Sequence, residues 1–247
     1  MPEEINGCVS SGYGNITRNT FQSSWSKPQS WIRNAREIIC WVSKDSKRDF
    51  SNHFQPLWLG SHPHGILCSG TFAAFATEGC EWAKVFPGVI PNLLTLEGFH
   101  QMPGFREILS FSGTCAATSK SMDYLLSKSK GRAVILVVGG AREVLCQDQD
   151  RIDLIILNRK GFIKKALKHG SALVPTFSFG EAFIYGKLFP NPRGSWIRSL
   201  QEYIVDKTRW PFPFFSGRGI FQYSFGMLPR RYPITVVSKL IYSVPLF

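Results

Sequence analysis

At 247 residues, 44% of them hydrophobic and 14% aromatic, the chain has enough apolar content for one large core or two small ones, which excludes a wholly disordered polymer. Its formal charge of +12 is lopsided: residues 1–150 carry 14 basic and 13 acidic side chains and residues 151–247 carry 15 and 4, so the C-terminal part is expected to face something anionic. Six scattered cysteines without a C-x-x-C pair or a secretory signal, no run near the ~18 apolar residues of a spanning helix, and no RNA-binding aromatic signature argue against a disulfide scaffold, a zinc ribbon, a transmembrane span and a nucleic-acid partner.

Residues 1–29 are polar and aperiodic and are expected to be a disordered tail, leaving 30–247 as one domain. The spacing of Trp31, Ile32, Ala35, Ile38, Ile39 and Val42, interleaved with Arg33 and Arg36, predicts an amphipathic helix, either core-facing or lying on an anionic surface. Residues 57–60 form a short apolar run that reads as a strand ending at His62-Pro63-His64-Gly65, and residues 66–76 read as a buried helix. The β-branched run 133–138, stopped by Gly139-Gly140, has the mark of a central strand, and 154–157 is another. Residues 161–169 place Phe162, Ile163, Ala166 and Leu167 opposite three lysines and end at Gly170, which predicts a helix; 172–177 would be the next strand, with Pro175 suited to an edge or a strand end. Beyond Gly186 the chain is rich in Pro, Gly and Phe and is expected to form loops, packed on the domain or dipping into a bilayer surface. The alternation of strands and helices predicts an α/β domain with a central sheet flanked by helices.

Histidine titrates near pKa ~6.5, so it can take a proton from an attacking alcohol and return it to a leaving group within one turnover. In His62-Pro63-His64-Gly65, Pro63 fixes the backbone between the rings and Gly65 removes side-chain bulk where a substrate carbonyl would approach. The same four residues also fit a plain turn with two surface histidines, or half of a metal site. Gly139-Gly140-Ala141-Arg142-Glu143 follows the central strand, and open α/β sheets bind ligands beyond the carboxyl ends of their strands. Both turns are therefore expected at one rim, where Glu143 would orient an imidazole or offset its charge; the alternative is a helix-start acid favoured by the macrodipole. Asn158-Arg159-Lys160-Gly161 reads either as a phosphate or carbonyl-oxygen site or as a solvated basic turn.

After the histidine turn come, in order, Gly70-Thr71-Phe72, Phe86-Pro87-Gly88, Met102-Pro103, Val137-Val138-Gly139-Gly140-Ala141 with Glu143, Arg159-Lys160-Gly161-Phe162, Leu173-Val174-Pro175, Phe177-Ser178-Phe179-Gly180-Glu181 and Gly217-Arg218-Gly219. With these motifs the chain resembles the type-2 diacylglycerol acyltransferases and their monoacylglycerol acyltransferase and wax synthase relatives, over about residues 30–240. The resemblance implies a membrane-associated, glycerolipid-acyltransferase-like α/β fold that moves a fatty acyl group from acyl-CoA to diacylglycerol, giving triacylglycerol. Monoacylglycerol or a fatty alcohol is the alternative acceptor, and a non-catalytic membrane-associated paralogue or splice form is the alternative class. On this reading His64 is the base, His62 holds the loop or binds substrate, and Glu143 stabilises the imidazolium. Pro63, Gly65, Asn158, Arg159, Lys160 and Gly161 would bind substrate, with no metal and no cofactor beyond acyl-CoA as co-substrate. The implied location is the cytosolic face of the endoplasmic reticulum membrane, or the lipid droplet, with a homo-oligomer left open. Relatives carry a membrane hairpin ahead of the histidine motif and continue beyond the position of Lys239, so this chain is expected to lack both. The acid that related glycerolipid acyltransferases place a few residues after the histidine has no counterpart in Ile66-Leu67-Cys68-Ser69, which makes Glu143 the best candidate for that partner.

Overall fold

The computed structural model describes residues 8–12, 38–42, 56–127, 131–222 and 225–238. In chain order the elements are β1 (Cys8–Gly12), β2 (Ile38–Val42), β3 (Leu57–His62), α1 (Ser69–Phe75), α2 (Trp82–Val85), β4 (Ile90–Thr95), α3 (Glu97–Gln101) and α4 (Phe105–Phe111). Then follow β5 (Cys115–Ala116), α5 (Ser119–Ser127), β6 (Arg132–Val137), α6 (Gly140–Leu145), β7 (Arg151–Ile155), α7 (Gly161–His169), β8 (Ala172–Phe179), β9 (Gly186–Lys187), α8 (Trp196–Thr208), β10 (Phe215–Ser216) and β11 (Ile234–Ser238). Seven strands form one sheet in the order β2-β11-β8-β3-β6-β4-β5, parallel throughout except where β11 meets β8.

The pleat explains why the central strands are apolar along their whole length. Leu57, Leu59, Ala133 and Ile135 point to one face, where Phe75 of α1 and Trp82 of α2 cover them with Phe86 and Val144. Trp58 and Val134 point to the other, against Leu125 and Leu126 of α5 and Phe162 of α7. A parallel strand with helices on both faces has no solvent side, so β6 shows no polar alternation. α7 closes as expected, on Gly170 in the left-handed region. Among the described residues no helix is long and apolar enough to cross a membrane.

Several stretches differ from what the sequence pattern suggests. The last five residues of the expected amphipathic helix form β2, parallel to β11; Ile, Trp and Val fit a pleated surface, and an unpaired strand beside them overrides helical spacing. Residues 31–37 of that expected helix lie outside the described residues. Pro175 sits inside the sheet, opposite Gly60 of β3 rather than at an edge; the described ladder with β11 starts one residue later, at Thr176. The strand expected at 154–157 runs instead over Arg151–Ile155 and pairs antiparallel with β1, outside the main sheet, so Cys8–Gly12 within the expected tail is part of that pairing. The loops expected beyond Gly186 include α8, the longest described helix, started by the Ser195 side chain accepting the Arg198 N–H at 3.2 Å.

Ile135 lies at the middle of the central strand with no exposed surface. Ile135→Ala should lower the free energy of unfolding by about 2–5 kcal/mol, read by chemical denaturation; a loss well under 1 kcal/mol, on that scale, would mean the strand is not central to the core.

Candidate active site

β3 and β6 are neighbours and parallel, with Ser61 opposite Val137, so both chains leave the sheet at the same edge. β3 ends at His62 and continues into Pro63-His64-Gly65; β6 continues through Val138-Gly139 into α6, which carries Glu143. The two turns that the sequence analysis expects at one rim therefore meet there.

Glu143 is buried, and among the described residues its two oxygens are met by backbone N–H groups rather than by a Lys or Arg. Oε1 accepts the His64 N–H at 2.7 Å and Oε2 accepts the Ile155 N–H at 3.1 Å. The side chain folds so tightly over its own turn that a Cβ on Gly139 would sit 1.7 Å from Oε2, which only glycine allows. The imidazole nearest the carboxylate is that of His62, with Nδ1 3.8 Å from Oε1, longer than a hydrogen bond. His64 is arranged differently: its Nδ1 lies 3.2 Å from the Gly65 carbonyl. A carbonyl can only accept, so Nδ1 carries the hydrogen and Nε2 keeps the lone pair. Burial lowers the His64 pKa, and the smaller opposing influence of the Glu143 charge does not cancel it.

Gly65 has φ of 61°, a left-handed conformation, and a Cβ there would meet Glu181 Cγ at 2.6 Å. The space that glycine leaves is thus occupied by Glu181, the last residue of the Phe177-Ser178-Phe179-Gly180-Glu181 motif. Glu181 takes the Ser69 and Gly70 N–H groups at the start of α1. No local signal marks it, because its partners lie more than a hundred positions away. Pro63 and Gly65 line a solvent-open hollow of about 270 Å³ with Glu143, Arg151, Asp153 and Ala182.

Of the basic turn, Arg159 reaches the glycine turn, donating to the Gly139 carbonyl at 3.3 Å, while Asn158 and Lys160 lie exposed before α7 and Gly161 lies exposed at its first position. A second brace comes from α8: Arg142 of α6 pairs with Asp206, at 2.6 Å to Oδ2, and the buried Arg198 guanidinium donates to the Leu145 carbonyl. α8 has no counterpart in the sequence analysis, although Ser195 followed by Trp196, Ile197, Leu200 and Ile204 carries a cap and helical spacing.

The family model described as diacylglycerol acyltransferase matches residues 17–244. Among curated proteins, the chain is 38% identical to the 2-acylglycerol O-acyltransferase 1 of Bos taurus, over 87% of this chain and 68% of that protein. It is 44% identical to the diacylglycerol O-acyltransferase 2 of Dictyostelium discoideum, over 71% of this chain and 53% of that protein. The same identity, 44%, holds for the diacylglycerol O-acyltransferase 2 of Danio rerio, over 76% of this chain and 52% of that protein. The chain thus spans roughly half to two thirds of the length of the curated relatives it matches. No solved structure matches it significantly.

A histidine whose folded pKa lies below its ordinary 6.5 binds its proton more readily when the chain unfolds. The unfolded state therefore holds more protons just below 6.5, and the stability owed to neutral His64 is present above that value and lost as pH falls through the lowered folded value. Denaturation of the parent and of His64→Gln between about pH 5 and 7.5 should show a steeper acid loss in the parent. Parallel curves would mean that His64 is not held neutral by burial.

Proposed function

Because the chain belongs to the diacylglycerol acyltransferase family, we propose that it transfers a fatty acyl group from acyl-CoA to the free hydroxyl of diacylglycerol, forming triacylglycerol. The observation that carries this reading is the His64 imidazole, its Nδ1 turned to the Gly65 carbonyl, on a turn whose backbone is bound to the buried Glu143 carboxylate. The acceptor hydroxyl is almost wholly protonated at neutral pH and is a poor nucleophile until a base within hydrogen-bond reach removes its proton. His64 Nε2 takes that proton as the hydroxyl oxygen bonds to the thioester carbonyl carbon. The tetrahedral intermediate then collapses, the carbon–sulfur bond breaks, and the departing thiolate recovers the proton as the free thiol of coenzyme A. Glu143 offsets the imidazolium charge formed between these steps, in a low-dielectric site where that charge counts for more than in water. With the His64 N–H engaged by Glu143, the proposed donors to the oxyanion are the N–H groups around Gly65.

His62 is proposed to hold the loop or touch substrate, and its Nδ1 lies 3.8 Å from Glu143 Oε1. Pro63 and Gly65 shape the hollow beside the carboxylate. Arg159, with Asn158, Lys160 and Gly161, is proposed to meet the phosphates of coenzyme A or the ester oxygens of the acceptor. No metal or cofactor enters the scheme.

Monoacylglycerol is the second acceptor, favoured by the likeness to a protein named 2-acylglycerol O-acyltransferase. A panel of acceptors with labelled oleoyl-CoA separates the two readings and also tests fatty alcohols. A chain that transfers to none of them would be the non-catalytic paralogue.

His64→Ala should lower acyl transfer by about 10² or more with expression intact, and His62→Ala by less. Glu143→Gln keeps the size, loses the charge and turns one oxygen that accepts a backbone N–H into a donor, so it should lower kcat and leave the KM for acyl-CoA nearly unchanged. Full activity in His64→Ala removes His64 from the mechanism.

Membrane association at the endoplasmic reticulum or lipid droplet belongs to the same proposal. Its support is exposed apolar surface: Trp196, Leu200 and Tyr203 stand along one side of α8, and Phe105, Ile108 and Phe111 along α4. Together with the basic C-terminal part this describes an attachment that is partly electrostatic. High salt or carbonate should release a large share of the protein from microsomes. Complete retention through carbonate would mean that a segment is embedded in the bilayer.

A further inference from the structure

Two buried carboxylates hold the histidine turn, and the proposed reaction uses one of them. Glu143 takes the His64 N–H near the start of the turn. Glu181, on the 3-10 turn after β8, takes the Ser69 and Gly70 N–H groups at its end, both at 2.8 Å. These are the first N–H groups of α1, which most helices satisfy with a side chain from the preceding residue. Here that residue is Cys68, with φ of 44° and no side-chain cap. The duty has passed to a residue just after the strand beside β3.

Glu181 has no exposed surface, and among the described residues its charge is met by backbone N–H groups rather than by a cation. Burial pushes its carboxyl up to about 7, opposed only by those two hydrogen bonds. Glycines at both ends of the turn let the backbone pack directly on it: a Cβ on Gly65 would lie 2.8 Å from Oε1 and one on Gly70 2.9 Å from Oε2. A carboxylate is a costly group to bury for capping alone, where a local serine would serve. What a local serine would not do is join the turn to β8.

We propose that Glu181 is a positioning residue for acyl transfer: by tying the start of α1 to the end of β8, it holds the turn at residues 62–65 in register with Glu143. This rests on the acyltransferase reading above. Glu181 itself touches no reacting atom and acts through where it leaves His64. The contact is long-range in sequence and short in space, and it adds a side-chain link beyond the last ladder pair of β3 and β8, His62 with Phe177.

Glu181→Gln keeps the shape but turns one acceptor oxygen into a donor, so one α1 N–H loses its partner. In the full chain, assayed with labelled oleoyl-CoA and diacylglycerol liposomes, kcat should fall by about tenfold or more, while the KM for acyl-CoA stays within about twofold. Amide exchange of peptides covering residues 64–70 should quicken. Gly70→Ala, whose Cβ would press on Oε2 at 2.9 Å and on Ile234 Cγ2 at 2.8 Å, should reproduce both effects, and it carries the test if Glu181→Gln does not fold. Parental kcat in both variants overturns the positioning role and leaves the acyltransferase reading standing. A parent chain that transfers nothing sinks that reading instead, and exchange then decides alone: unchanged protection of residues 64–70 in the variants overturns the clamp.

Discussion

The burial of the Glu143 carboxylate, between the ends of two parallel strands and, among the described residues, with backbone N–H groups as its hydrogen-bond donors, is the constraint on which the site depends. A buried carboxylate without donors is costly, and here the two donors come from different segments: His64 after β3 and Ile155 at the end of β7. The carboxylate therefore draws the histidine turn, the glycine turn and β7 to one point. Its geometry also dictates glycine at 139, where a methyl group would occupy the place of the carboxylate oxygen. A residue placed as a partner for an imidazole is at the same time the joint between three pieces of chain.

The same burial sets the electrostatics. Desolvation disfavours the charged imidazole of His64, and the nearby carboxylate favours it; desolvation is the larger influence, so the ring rests neutral. A neutral ring with its hydrogen held on Nδ1 by the Gly65 carbonyl is ready to accept at Nε2. The carboxylate becomes more valuable once that proton has arrived. Arrangements in which the resting state is set by burial and the charged state by a fixed counter-charge spare the site from reorganising during the reaction.

The basic surplus is partly structural. Lys165 pairs with Asp123, Lys187 with Asp148 and Arg193 with Asp153, so these C-terminal cations join separate parts of the fold, while Arg151 pairs with Asp153 within β7 and Arg198 with Glu202 within α8. Pairs exposed on the surface add little stability each. The pairing of Asp153 is different in kind, since its side chain is only 10% exposed and it lines the hollow beside Glu143. Arg159, leaning on the Gly139 carbonyl, ties the basic turn to the same neighbourhood.

Much of this was legible in the residues themselves. The unbroken apolar run of β6 could only be a strand covered on both faces, and His64, Glu143 and the glycines beside them stand where strands end, which is enough to place them at one rim once the two strands are taken as neighbours. The motif order marked the family by itself. Helical spacing misled at Ile38–Val42, because periodicity describes one chain segment and says nothing of the vacant edge of β11 that the segment meets. Composition misled beyond Gly186, where prolines and phenylalanines masked the cap and spacing of α8. Which imidazole faces the carboxylate, which one is turned toward a carbonyl, and that Glu181 closes the far end of the turn were decided by tertiary structure alone. Spacing along a chain encodes faces and ends of elements; hydrogen bonds between residues a hundred positions apart depend on which strands become neighbours, and only the assembled sheet settles that.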